Sequence, residues 1–350
     1  MRVQTVATVG YLPFVSVLLE SLRKTDPGND YSILVTDSTA TNLRRIRDYL
    51  IDDDVEWLSC EQLDAPELAG ARDYYSALEF NSACKVLALA HQLDTGNEEC
   101  LFLDPDMLAL GSVAHRVRAV GCEVVVTPHT RAPFPVDGAA PTDLEMAVTG
   151  SVNGGVVYAR SAAGTSEALR WLRAQIPYRW FVAPHLGMYA DQRWLSLLPD
   201  LFPATAIVLK DPTLNIAYWN LHERKLRFDG ERLLVSGSAD QWEPARLIHF
   251  SGVDVDGDGT LTRHSSRSYG PETDAAMKRQ ICEYAPRVKA ERARLQDLRL
   301  CGDLGFASGP LAVRMTRAHR RWTAPASERV PIPGHFERLG RALDQVFRRR

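Results

Sequence analysis

An apolar run, Cys100-Leu101-Phe102-Leu103, leads directly into Asp104-Pro105-Asp106-Met107. A run this short and this apolar reads as a buried strand. Carboxylates just beyond its end then lie at the C-terminal edge of a sheet, where open α/β folds bind ligands. Residues i and i+2 of an extended chain point the same way, so Asp104 and Asp106 can share one hard cation. A divalent cation held by one or two carboxylates, with positions left for phosphate oxygens, is the usual way to hold a nucleotide diphosphate. The alternative is an acidic turn after a strand, and the tripeptide alone does not choose between the two.

The sequence around this run alternates short strands with helices, which predicts a mostly parallel α/β sheet. Strands are expected at 3–8, 31–36, 55–58, 101–103, 123–127, 151–158, 207–209 and 247–250. Helices are expected at 15–23, 41–50 (with Thr39 or Thr41 as N-cap), 71–93, 167–175 and 191–198. Residues 130–141 are rich in Pro, Gly and Ala and read as loop. The strand at 151–158 contains Gly154-Gly155, and glycines inside a strand mark close approach by a ligand or another part of the chain. From about residue 271 the pattern turns helical and charged. No GxxxxGK[ST] or GxGxxG loop is present, so P-loop and dinucleotide-binding readings have no support.

Bulk properties exclude several classes. With 350 residues, 45% hydrophobic and 24% charged, the chain is an ordinary globular protein of one large domain or two. A net charge of -3 gives no reason to expect nucleic acid. No apolar run is long enough for a transmembrane helix, and no signal-peptide h-region is read at the start. Cys60, Cys84, Cys100, Cys122, Cys282 and Cys301 form no CxxC pair and read as reduced, buried thiols of a cytoplasmic protein.

Beyond the Asp104-Pro105-Asp106 turn come Asp191-Gln192-Arg193-Trp194, Asn215 to Arg224 (N-x-A-Y-W-N-L-H-E-R) and His249-Phe250-Ser251-Gly252, in that order. In this order and spacing the chain resembles the GT-A-fold glycosyltransferases of family 8, which include glycogenin and bacterial lipopolysaccharide galactosyltransferases, and within them a bacterial branch. The resemblance covers about residues 1–270. It implies a GT-A (Rossmann-like) mixed, mostly parallel sheet flanked by helices. The nucleotide-sugar half would be about 1–127 and the acceptor half about 128–270. Residues 271–350 would form a helical, basic C-terminal extension.

The resemblance also implies an activity: a metal-dependent, retaining transfer of a sugar from a nucleotide sugar, a UDP-sugar, to a hydroxyl of a glycan or glycolipid. Asp104, Asp106 and His249 would bind Mn²⁺ or Mg²⁺, and two carboxylates with one imidazole suit Mn²⁺ by ligand hardness. Thr8 and Tyr11, after the first strand, would meet the donor, with Tyr11 stacking on its base. Lys85 would contact the donor from a helix, and Asn153 and Gly154 would lie beside the donor sugar. Asp191 and Gln192 would stand near the anomeric carbon as the catalytic pair, although a helix N-cap explains Asp191 equally well. Asn215, Tyr218, Trp219 and Asn220 would line the acceptor side, or Tyr218 and Trp219 would pack in the core. Gly252 closes the H-x-x-G motif.

The chain departs from the family in two places, of which one is Lys85, where members usually carry Arg. The lysine that members carry a few residues after H-x-x-G is replaced by Val253-Asp254-Val255-Asp256-Gly257-Asp258-Gly259, so Arg263 and His264 are expected to meet the phosphates instead. That insert resembles the start of a calcium loop, but its twelfth position is Ser265 rather than a bidentate Glu, and an Asp-Gly-rich turn is the better reading. The tail carries a signal of its own. Ten arginines against three acidic residues between Leu311 and Arg350 give it a charge of about +7. Phe336, Leu339, Leu343, Val346 and Phe347 fall at helical spacing. This predicts either a basic amphipathic helix in peripheral contact with an anionic membrane at its inner face, or a terminal helix packed on the acidic body. Two rival activities remain open at this point: a non-catalytic nucleotide-sugar or glycan binder on the same fold, and an NDP-sugar nucleotidyltransferase. The latter is disfavoured because the loop after the first strand lacks a glycine-rich phosphate cradle.

Overall fold

The computed structural model describes residues 1–50, 54–237, 241–257 and 261–306. Asp258, Gly259 and the tail from residue 307 lie outside the described residues, and with them the second half of the calcium-loop reading and the amphipathic tail helix.

The strands that position the site are β1 (Arg2–Ala7), β2 (Asp30–Val35), β3 (Val55–Ser59), β4 (Glu99–Leu103), β5 (Met107–Ala109), β6 (Val124–Pro128) and β7 (Val152–Arg160). A seven-stranded sheet runs in the order Ala206–Val208, β6, β7, β4, β1, β2, β3. All neighbours are parallel except β7, which is antiparallel to both β4 and β6. The expected mixed, mostly parallel α/β sheet is therefore present.

Both faces of this sheet are covered, so its strands are apolar without clean alternation. Cys100 and Phe102 point to one face, against Phe80, Ala83 and Leu87 of the helix α3 (Ala77–Asp94). Leu101 and Leu103 point to the other, with Leu18 and Leu22 of the helix α1 (Leu12–Thr25). In α1 the buried residues Leu12, Val15, Leu19 and Leu22 recur at helical spacing, and Pro13 occupies the first turn, where its missing N–H costs nothing.

The expected helix over 71–93 is interrupted. A 3₁₀ turn, Ala71–Asp73, precedes α3, which starts afresh at Ser76. Ser76 N–H donates to Glu79 Oε2 at 2.8 Å, and Glu79 N–H donates back to Ser76 Oγ at 3.4 Å. This capping box satisfies the first amides of the helix. An antiparallel hairpin, Lys225–Asp229 with Arg232–Ser236, was not foreseen. It turns at Gly230, whose φ of +59 is one that residues other than glycine rarely adopt.

The long helix Pro271–Arg294 packs its buried Ile281, Tyr284 and Val288 into a core shared with Leu108, Ile248 and Phe250, where Tyr284 stacks on Phe250 at 4.0 Å. The chain then packs Leu295, Leu298 and Cys301 into the same core as α1 and runs on past the end of β2. Leu304 N–H donates to Asp37 O at 2.9 Å, and Asp303 Oδ1 accepts from Thr39 N–H at 3.2 Å. Among the described residues no helix is long and apolar enough to cross a membrane. All six cysteines are free thiols. Cys84, Cys100 and Cys301 are buried, whereas Cys282 is exposed and Cys60 and Cys122 are partly exposed, which corrects the expectation of uniformly buried thiols.

Candidate active site

The site forms where β4 ends. β5 leaves the main sheet and pairs antiparallel with Leu247–His249, with Met107 opposite His249. Phe250 N–H donates to Asp106 O at 2.8 Å and fixes the register. This pairing carries His249 across the sequence to the two aspartates. His249 Nε2 lies 3.1 Å from Asp106 Oδ1 and 3.9 Å from Asp104 Oδ2. One ligand atom from each of the three residues falls within 4.8 Å of the others.

The ring orientation of His249 follows from the amides behind it. Asn215 Nδ2 donates to Thr127 Oγ1 at 2.9 Å and to Asn153 Oδ1 at 3.0 Å. Its Oδ1 therefore faces His249 Nδ1, at 3.1 Å, as an acceptor. With the Nδ1 proton given to Asn215, Nε2 is the atom turned to the carboxylates, the one that would ligate a cation once unprotonated. The order continues backward: Asn153 Nδ2 donates to His129 Nε2 at 3.4 Å, and His129 Nδ1 donates to Gly150 O at 2.7 Å. Burial holds His129 neutral, its pKa pushed down to about 4. His129 was not singled out in the sequence. Its signal was a polar residue at the end of an apolar strand, the signal that exposed Asp104.

Lys85 projects from α3 into the same place. Its Nζ is 2.7 Å from Asp104 Oδ1 and 3.5 Å from Asp191 Oδ2, and it donates to Gly154 O at 3.4 Å. Asp191 lies in the first turn of the helix Ala190–Leu195, whose N-cap is Tyr189. Its carboxylate is thus turned to Lys85, and the capping alternative falls away. Asp191 N–H donates to Ser82 Oγ at 3.2 Å, which anchors the turn to α3.

The Gly154-Gly155 pair now has a physical cause. A Cβ on Gly154 would sit 2.0 Å from Asp191 Oδ2, and one on Gly155 would sit 2.8 Å from His249 Cε1 and 2.7 Å from Met107 Cε. The strand is bare so that the Asp191 carboxylate and the His249 ring can close on it.

The donor set fits a divalent cation. Asp104, Asp106 and Asp191 gather around one ammonium, Lys85, beside the His249 ring. The charges leave an excess of negative charge in a half-buried pocket, a costly arrangement without a further cation. Burial pushes the Asp104 carboxyl up even beside Lys85. Asp106 pays the same penalty, but the His249 imidazole outweighs it and brings the carboxyl below its usual range.

The remaining expected residues divide into those on the rim and those behind it. Tyr11 is 46% exposed, stacks on Phe14 at 5.1 Å, and its hydroxyl is raised by burial and by nearby Asp106. Thr8 meets it only through the backbone, its carbonyl accepting from Tyr11 N–H at 2.9 Å. Gly252, at φ +71, lies so close to His264 that a Cβ would sit 2.3 Å from its Cδ2. Arg263 N–H donates to Gly252 O at 3.1 Å, so Arg263 and His264 stand beside the H-x-x-G turn. Gln192 is partly exposed and its side chain interacts with His129.

Of the four residues expected on the acceptor side, Tyr218 keeps some surface. Asn215, Trp219 and Asn220 are 1%, 3% and 0% exposed. Trp219 packs edge-on against His249 at 5.0 Å and His129 at 5.5 Å, the core alternative. Asn220 donates to Asn215 O at 2.9 Å and accepts from Ala217 N–H at 3.0 Å, holding Asn215 at its φ of +51. These three are buried behind the site and leave almost no surface to offer an acceptor.

No protein-family model matches the chain. The uncharacterized protein YfnF of Bacillus subtilis (strain 168) is 26% identical over 114 residues, 32% of this chain and 36% of that protein. The match therefore spans about a third of the relative's length. Among solved structures, the galactosyltransferase LgtC in complex with donor and acceptor sugar analogs is similar at 12% identity and a TM-score of 0.44, over 82% of this chain and 95% of that one. The bifunctional glycosyltransferase WbbM is similar at 12% identity and a TM-score of 0.46, over 84% of this chain and 51% of that one. GlyE of Streptococcus pneumoniae TIGR4 is similar at 15% identity and a TM-score of 0.37, over 60% of this chain and 45% of that one.

Proposed function

We propose that the chain is a metal-dependent, retaining glycosyltransferase of the GT-A type. It would move a sugar from a UDP-sugar to a hydroxyl of a glycan or glycolipid. The observation that carries this reading is the Asp104–Asp106–His249 cluster at the C-terminal edge of a mostly parallel sheet, with Asp191 tied to it through Lys85. Such an edge is where open α/β folds take their ligands, and the motif resemblance supplies the reaction class.

Asp104, Asp106 and His249 would hold Mn²⁺ or Mg²⁺. Bound there, the cation would neutralise the charge that builds on a leaving diphosphate. Arg263 and His264, beside the H-x-x-G turn, would meet the phosphates. Tyr11 offers its ring face to the base, and Tyr218 offers a ring to the acceptor. Asp191 faces the space beside Gly154 where the donor sugar would lie, and its carboxylate would stabilise positive charge at the anomeric carbon. Lys85 holds Asp104 and Asp191 in fixed relation, so that cation and sugar keep one geometry.

The test is hydrolysis and transfer from a panel of nucleotide sugars with purified full-length protein. Activity that needs Mn²⁺ and disappears in excess EDTA supports the reading. Donor binding with no turnover on any acceptor or water would make the chain a binder instead. Retention rests on the resemblance, and a product coupling constant showing an inverted anomeric centre would overturn it.

A further inference from the structure

Two thiols stand apart from the machinery described so far. Cys60 follows β3, and Cys84 lies on α3, 24 residues later. Their sulfurs are 4.0 Å apart. Arg72 sits over the pair, with Nη2 3.8 Å from Cys60 Sγ and also donating to Thr36 O. Its Nη1 is buried and has no hydrogen-bond partner among the described residues. The guanidinium lies against two touching rings, 4.4 Å from the centroid of Phe80 and 5.2 Å from that of Phe306. A fixed cation with a spare donor beside a partly exposed sulfur is the setting of a reactive cysteine.

We propose that Cys60 and Cys84 form a reversible intramolecular disulfide on exposure to a hydroperoxide. Cys60 is the attacking sulfur: it is partly exposed, while Cys84 is wholly buried. The Cys84 thiol donates toward Cys60 and, with Arg72, lowers its pKa, whereas burial keeps the proton on Cys84. The Cys60 thiolate attacks the peroxide oxygen, the O–O bond breaks, and the alcohol or water leaves with a proton, giving Cys60 sulfenic acid. Cys84 sulfur then attacks Cys60 sulfur; the S–O bond breaks and water leaves with the Cys84 proton. Two thiols lose two electrons and the peroxide gains them. The sulfurs need to close by about 2 Å to reach a disulfide length of about 2.05 Å.

The consequence falls at the end of β2. Thr36 O accepts from both Arg72 and the Cys60 thiol. The next residue, Asp37, holds Val9 N–H at 2.8 Å, at the start of the loop that carries Tyr11. Drawing Cys60 toward α3 removes the sulfur from Arg72 and loosens this corner. On the donor reading proposed above, the base would rest there, so the oxidised protein should bind a nucleotide more weakly.

The experiment uses the full chain with Cys282→Ser, which removes the exposed thiol. Treatment with hydrogen peroxide should lower the free-thiol count by two, remove the mass of two hydrogens and yield a crosslinked Cys60–Cys84 peptide, all reversed by dithiothreitol. Cys60→Ser should abolish the reaction. Cys84→Ala should stop it at a dimedone-reactive Cys60. Peroxide-treated protein that keeps both thiols, or carries a sulfinic acid on Cys60 beside a free Cys84, would overturn the proposal. UDP affinity with Mn²⁺ should fall several-fold on oxidation and recover on reduction. An unchanged affinity in fully crosslinked protein would overturn the functional consequence. Absence of UDP binding even when reduced would count against the donor reading and leave the thiol result standing.

Discussion

Asp104-Pro105-Asp106 follows the apolar strand β4, and Asp254-Val255-Asp256 follows the apolar strand Leu247–His249 a few residues later. Both present carboxylates at i and i+2, and on spacing alone they are equivalent. In the first turn Asp104 and Asp106 are drawn inward and converge on an imidazole whose tautomer is fixed by buried amides. In the second, Asp254 Oδ1 accepts from Asp256 N–H at 3.0 Å, and Asp256 Oδ2 pairs with Arg292 Nη1 at 2.5 Å. The side chain of Asp256 is 63% exposed. One turn leaves its negative charge concentrated and facing a third ligand, while the other spends it on its own backbone and on a surface arginine. A cation site is made by what stands behind and opposite the carboxylates, and spacing alone does not make one.

The largest effect should follow from breaking the first turn. Asp106→Ala removes one ligand of a cation that would carry leaving-group charge, and transfer should fall at least a thousandfold, about 4 kcal/mol of barrier. Far-UV circular dichroism should be unchanged, because Asp106 also holds the β5 register through its backbone carbonyl, which the substitution keeps. His249→Ala should raise the Mn²⁺ requirement of donor binding well beyond any change in stability. Full activity in either variant would show that this turn is as idle as the other.

A smaller effect should come from the support behind the ligand. Asn215→Gly keeps a residue that tolerates φ +51 and deletes the amide that faces His249 Nδ1. Mn²⁺ affinity, measured by calorimetry, should weaken about 10- to 100-fold, the usual cost of losing such a partner. An unaltered affinity would mean that the imidazole is oriented by packing against Trp219 alone.

The two turns also mark how far the sequence could be read. The apolar run and the paired carboxylates were visible because strand burial and i, i+2 geometry are local. His249 entered through the motif resemblance, since the pairing of β5 with Leu247–His249 joins segments that no local pattern connects. Asn215, Trp219 and Asn220 were read toward an acceptor because a buried amide that orients a histidine and an exposed amide that binds a sugar are the same letter. The hairpin at Lys225–Asp229 and Arg232–Ser236 did carry a local signal, an alternating strand ending in Asp229-Gly230. The restart of α3 carried one as well, Ser76 with Glu79. The Cys60–Cys84 approach had none, because 24 residues and a change of element separate the sulfurs.

The smallest expected effect tests the second turn. In the double variant Asp254→Asn, Asp256→Asn, the surface pair with Arg292 is lost and the backbone hydrogen bond to residue 254 has an acceptor still in place. An exposed ion pair contributes little once side-chain entropy and salt screening are counted. The stability change should stay within about 0.5 kcal/mol, and the midpoint of thermal unfolding should barely move. Calcium added to the wild type should leave that midpoint where it was, because Asp256 is already paired and the twelfth position, Ser265, cannot supply a bidentate carboxylate. Mn²⁺ affinity should be the same in variant and wild type. A calcium-dependent rise in midpoint that the double variant abolishes would break the comparison, for it would make the second acidic turn a cation site in its own right.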